Sequence, residues 1–129
     1  MIAVDSSAWI ARLNNVDSKS VHVLRSLFGE TELLIGDIVL LQVLQGARDE
    51  AHAVRIAHEL NQFDIVAMLD PEIAVQAAHN YRSLRGRGIT IRKTVDLIIG
   101  TFCIEHGHTL LHDDRDFDPM RTHLGLQVL

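Results

Sequence analysis

The chain has 129 residues and a formal net charge of -5, enough for one domain whose core needs neither disulfides nor a structural metal. With 47% hydrophobic and 22% charged residues it excludes extended disorder, and no apolar run approaches the roughly 18 residues that cross a bilayer. The single cysteine, Cys103, excludes an internal disulfide, and the opening Met-Ile-Ala-Val-Asp lacks the basic start and apolar stretch of a signal peptide, so a cytoplasmic protein without membrane contact is expected.

Ile2 to Val4 is a short apolar run ending at an acid, Asp5, and predicts a buried strand. Ser6 to Leu13 reads as a helix. A second helix covers Ser18 to Phe28, with Val21, Leu24, Leu27 and Phe28 on one face. Leu33 to Ile35 predicts the second strand, and Asp37 is placed to cap a helix from Ile38 to Arg48. Glu50 to Asn61 has Val54, Ala57 and Leu60 at helical spacing. Asp64 to Met68 predicts a third strand. Asp70-Pro71 opens a long helix, aspartate as cap and proline in the first turn, that stops near Gly86 to Gly88. Thr94 or Val95 to His106 is an apolar helix halted by Gly107. Thr109 to Leu111 is the fourth strand, a short helix follows near Asp118 to His123, and Leu126 to Val128 is the last strand.

Strands alternating with helices predict an α/β fold, a mostly parallel central sheet with helices on both faces, in one domain over 1–129. Such sheets bind ligands beyond the carboxyl ends of their strands. Asp5 ends the first strand, and Asp113, Asp114, Asp116 and Asp118 follow the fourth. Asp96 enters a helix that is otherwise apolar. Clustered carboxylates at strand ends offer the hard oxygens that Mg2+ or Mn2+ requires. Taken singly, each acid has a plainer role as a helix cap, a dipole partner or a solvated turn. The basic residues gather elsewhere, at Arg82, Arg85, Arg87, Arg92 and Lys93, an asymmetry suited to holding a cation beside a phosphate backbone. The eight histidines form no zinc pattern, and Cys103 on its apolar helix reads as core.

The segments Ile2-Ala3-Val4-Asp5-Ser6-Ser7-Ala8-Trp9, Leu41-Gln42-Val43-Leu44-Gln45-Gly46-Ala47, Thr94-Val95-Asp96-Leu97-Ile98-Ile99-Gly100 and Leu111-His112-Asp113-Asp114-Arg115-Asp116-Phe117-Asp118 resemble, in order and spacing, the VapC-type toxins that carry the PIN domain. The resemblance covers essentially the whole chain. It implies a PIN-like three-layer sandwich and an endoribonuclease that hydrolyses phosphodiesters with Mg2+ or Mn2+. It implies a homodimer and a cognate antitoxin as partners. It assigns Asp5, Asp96, Asp114 and Asp116 to the metal, with these four and Gln42 as the catalytic set. By the same resemblance Ser6 holds Asp5 or contacts the scissile region. Of Arg85, Arg87, Arg92 and Lys93, which otherwise form a solvated basic helix end, Arg92 and Lys93 are expected to meet the RNA because they lie close in sequence to Asp96. Gln42 departs from the family pattern, which usually has glutamate there. An amide keeps the reach and one oxygen but loses the charge.

Two other classes remain open on the residues alone. One is a PIN-fold RNA- or antitoxin-binding module that no longer cleaves, which Gln42 favours and the four aspartates oppose. The other is a phospho-accepting receiver-like domain. That needs an acid pair after the first strand, where this chain has Asp5-Ser6-Ser7, and a lysine near the last strand, where none follows Lys93.

Overall fold

A computed structural model describes all residues 1–129. Its elements run β1 (Ile2–Val4), α1 (Ser6–Leu13), α2 (Lys19–Leu27), β2 (Leu33–Gly36), α3 (Asp37–Gln45), α4 (Glu50–Leu60), β3 (Asp64–Val66), α5 (Pro71–Gly86), α6 (Thr94–His106), β4 (Thr109–Leu111), a 3-10 turn (Arg115–Phe117), α7 (Asp118–Leu124) and β5 (Gln127–Val128). The sheet order is β3-β2-β1-β4-β5, and every pairing is parallel. The expectation of a mostly parallel sheet therefore becomes a wholly parallel one.

Successive side chains of a strand point to opposite faces. All four residues of β2 are buried, and so are Ala3 with Val4 and Leu110 with Leu111. Both faces of the sheet are therefore covered, which makes the fold a three-layer sandwich. Trp9 of α1 is fully buried, stacked with Phe28 and tilted against Phe63 at ring-centroid distances of 6.2 and 5.4 Å. Asp70 caps α5 by accepting from the Ile73 N–H at 2.8 Å, with proline in the first turn as expected. Gly107 ends α6 in the left-handed region at φ 70°.

Four expectations shift. Helix α3 ends at Gln45 rather than Arg48, because Gly46 follows and Asp49 caps the next helix through the His52 N–H at 2.8 Å. On α4 the buried face is Ile56 and Leu60, while Val54 is 66% exposed. Asp37 is the first residue of α3 and not its cap. Its Oδ1 accepts from Ile38 N at 2.8 Å and from Met68 N at 3.1 Å, tying α3 to the segment after β3. The 3-10 turn at Arg115–Phe117 has no counterpart among the expected elements. It arises because the Asp114 side chain accepts from Asp116 N at 2.9 Å.

The strand order places the site. From β1 the chain moves outward through β2 to β3, then crosses back to put β4 on the other side of β1. The order reverses between β1 and β4, and a crevice opens at such a switch point beyond the carboxyl ends. Asp5 follows one of these strands and Asp113 to Asp116 the other.

Candidate metal centre

The ends of β1 and β4 are stitched together. Asp5 N donates to the Leu111 carbonyl at 2.9 Å. The Ser7 hydroxyl donates to Asp5 Oδ2 at 2.6 Å and accepts from Asp113 N at 2.9 Å. Ser7 N also donates to Asp5 Oδ2, at 3.0 Å, so Asp5 caps α1. The side chain that holds Asp5 is thus Ser7, and the expectation that Ser6 does so is corrected. Ser6 is the first residue of α1, and the chain turn there directs the next hydroxyl, not its own, toward the β4 loop. Ser6 is buried beside Asp5 and remains available only for the other role considered for it.

Three more carboxylates converge. Asp96, Asp114 and Asp116 each offer an oxygen within 4.8 Å of the others. Asp96 lies in the first turn of α6, whose partial positive N-terminus favours an anion. Asp5 and Asp96 are each 2% exposed. Burial is the largest force on Asp96 and raises its pKa to about 6. The charges of Asp5 and Asp114 add to this, and Lys93 opposes it. Burial also raises the pKa of Asp5, against its bonds from Ser7. Burial pushes Asp114 upward too, but the Lys93 bond, the Asp116 N–H and the Lys93 charge outweigh it, and its pKa is lowered.

Buried acceptors without a partner are rare and expensive. Here they cluster. Asp5 Oδ1, Gln42 Oε1 and Asp96 Oδ2 are all buried and accept no hydrogen bond. Buried oxygens without a hydrogen bond on Asp5 and Asp96, with Asp114 and Asp116 drawn up to Asp96, fit a divalent cation with hard-oxygen preference. The Gln42 amide has a buried oxygen without a hydrogen bond but brings no charge.

Lys93 stands inside the cluster. Its Nζ lies 2.8 Å from Asp114, 3.5 Å from Asp96 and 3.6 Å from Asp116. The bond to Asp114, ahead of the surrounding negative charge, holds its amine above the usual range. Arg92 is exposed and lines a hollow of about 130 Å³ with Thr90, Ile91, Arg115, Asp116 and Pro119. Arg115 is a second guanidinium on this hollow beside Asp116, where the sequence reads it as a residue that pins the loop. Arg85 lies over the Tyr81 ring, 5.7 Å from its centroid. His112 accepts from Asp114 N through Nδ1 at 3.1 Å and so shapes the acidic loop. Cys103 is buried, and burial raises its thiol to about 12, which agrees with a core role.

Three larger hollows lie elsewhere. One, of about 330 Å³, is bordered by Arg12, Phe28 and Glu59, one of about 470 Å³ lies between α5 and α6, and one of about 290 Å³ is bordered by Glu32, Phe63 and Asp64. None of them is lined by the Asp96, Asp114 and Asp116 group.

The PIN domain family profile matches residues 2–121. This chain belongs to the PIN domain family. Among curated relatives it is 29% identical over 130 residues to VapC ribonuclease Mb1587 of Mycobacterium bovis, covering 99% of this chain and 97% of the relative. Ribonuclease VapC11 of Mycobacterium tuberculosis matches with the same identity and coverage. Among solved structures, the VapBC2 complex of Rickettsia felis, bound to a DNA fragment from its promoter, superposes with a TM-score of 0.79 at 18% identity. That match covers 100% of this chain and 98% of the other. VapC20 of Mycobacterium tuberculosis, a sarcin–ricin loop cleaving toxin, superposes with a TM-score of 0.67 at 18% identity, covering 92% and 93%. The receiver-like alternative is set aside by this family membership and by the PIN topology. No helix is long and apolar enough to cross a membrane.

Proposed function

We propose that this PIN-domain protein is a divalent-metal-dependent endoribonuclease toxin of a toxin–antitoxin pair. The observation that carries the reading is the convergence of Asp96, Asp114 and Asp116 beyond the β1/β4 switch point, with Asp5 at the end of β1 acting on Asp96 by its charge, and buried oxygens without a hydrogen bond on Asp5, Gln42 and Asp96. Asp5, Asp96, Asp114 and Asp116 would hold Mg2+, with Mn2+ as substitute. A metal so held supplies an activated water and neutralises charge developing on the phosphate. Ser7 keeps Asp5 in its rotamer and ties it to the acidic loop. Gln42 adds an oxygen ligand without the charge of glutamate. Arg92 and Arg115 offer guanidinium forks to the RNA backbone beside Asp116. Lys93 and the Ser6 hydroxyl are the remaining substrate contacts.

The proposed partners are an antitoxin protein and a second copy of the chain. Relatives solved as VapBC complexes support the first. Leu41, Leu69 and Val75, at 60%, 51% and 72% exposure, supply apolar surface for such contacts. A cytoplasmic setting agrees with this assembly.

Incubating the partner-free protein with a mixed RNA pool, with Mg2+ or with EDTA, tests the reading. Cleavage that requires metal and vanishes in Asp96→Asn is expected. A second reading, a binding module, is favoured by Gln42 alone. It predicts RNA or antitoxin binding with no cleavage, even by Gln42→Glu.

A further inference from the structure

The Lys93 ammonium sits among the same oxygens that the proposed metal would need. It is within 4 Å of one carboxylate oxygen on each of Asp96, Asp114 and Asp116, the three acids whose oxygens lie within 4.8 Å of one another. Two cations cannot share those oxygens at contact distance without strong repulsion. The side chain is also free to leave. It is half exposed on a flexible four-carbon stem, and it precedes α6 as the helix cap residue rather than lying inside the helix.

We propose that Lys93 is a built-in counter-cation of the metal centre. It neutralises the acids in the metal-free protein, competes with the divalent ion for their oxygens, and is displaced when the ion binds. The inference rests on the metal-site reading above. It adds that metal affinity is set against an internal competitor, and that the Lys93 contact to RNA becomes available only after displacement. Gln42 bears on the same balance, because an amide there leaves the divalent ion with one charge less to set against the lysine.

The chain has only two lysines, which makes displacement directly readable. Lys19 is exposed, makes no ion pair and serves as the internal reference. The experiment is amine-specific labelling of the unmodified protein, quantified by mass spectrometry with and without Mg2+. It is paired with calorimetric Mg2+ titration of Lys93→Met, Arg92→Gln and Asp96→Asn. Labelling of Lys93 should rise several-fold with Mg2+ while Lys19 stays constant. Lys93→Met should bind Mg2+ about tenfold more tightly, whereas Arg92→Gln, which removes a nearby charge outside the cluster, should change affinity little. Lys93 labelling that is unchanged or lowered by Mg2+ overturns displacement, and it needs no variant to fold. Equal gains from Lys93→Met and Arg92→Gln would also overturn it, by revealing a general charge effect. If Asp96→Asn leaves Mg2+ affinity intact, the metal-site reading itself fails, a result distinct from failure of the lysine proposal.

Discussion

Replacing Asp96 by asparagine should stabilise the metal-free protein while removing its metal affinity. The side chain is 2% exposed, and its Oδ2 accepts no hydrogen bond. Burial, then the charges of Asp5 and Asp114, raise its pKa from 3.8 to about 6 against the pull of Lys93. Holding such a group ionised at neutral pH costs the fold up to about 3 kcal/mol relative to an ordinary carboxyl. Asparagine keeps the shape and removes the charge. It gives up the 3.5 Å approach to Lys93, but that ammonium keeps its 2.8 Å bond to Asp114. A net gain of about 1–3 kcal/mol is expected, or a Tm rise of roughly 3–9 °C for a chain of this size. The pH dependence follows from the direction of the shift. A carboxyl with a raised folded pKa binds its proton more tightly in the fold, so its contribution is present below 3.8 and lost as pH rises through about 6. Thermal melts in EDTA at pH 4.5 and 7.5 provide the assay. The gap between Asp96→Asn and the parent should be reduced to roughly a third at the lower pH and reach its full size at the higher one. Excess Mg2+ should then raise the parent Tm and leave the variant unmoved. A variant no more stable than the parent at pH 7.5, with a gap that ignores pH, would refute the reasoning.

Gln42→Glu should bind Mg2+ more tightly, by about tenfold, and cleave RNA faster, measured by calorimetry and by initial rates. Ser7→Ala should weaken Mg2+ binding and activity because Asp5 loses its 2.6 Å bond and Asp113 N its acceptor, while Ser6→Ala should leave metal affinity nearly unchanged. Asn80→Ala should destabilise the fold by about 2 kcal/mol in urea unfolding, since Asn80 is buried, donates to Thr101 at 3.1 Å and accepts from Gln76 at 3.1 Å, and no other contact replaces these bonds.

The elements that proved most legible are those whose local and tertiary signals agree. The segments Ile2–Val4, Ser6–Leu13 and Thr109–Leu111 carry apolar runs bounded by a cap residue or a glycine, and they form where periodicity places them. Asp70-Pro71 combines cap and proline, and α5 begins there. Val54 misleads because it fits a helical stripe whose true centre, two residues on at Ile56, is decided by packing against the core. The acids of the site are readable because strand ends are readable and a parallel sheet directs strand ends to its ligands. Which hydroxyl holds Asp5 is not readable, since Ser6 and Ser7 differ only in where one helical step of about 100° points them. Lys93 shows the same limit. Its closeness to Asp96 is visible along the chain, but its bond to Asp114, twenty-one residues away, exists only once β4 lies beside β1.

The most direct test of the account follows metal and chemistry in the same sample. Mn2+ would be titrated into partner-free Gln42→Glu protein with RNA, with bound Mn2+ read by electron paramagnetic resonance and cleavage read from aliquots. The account predicts that the two rise together and that both disappear in the Gln42→Glu, Asp96→Asn double variant. Cleavage that proceeds without bound Mn2+, or that survives the loss of Asp96, would contradict it.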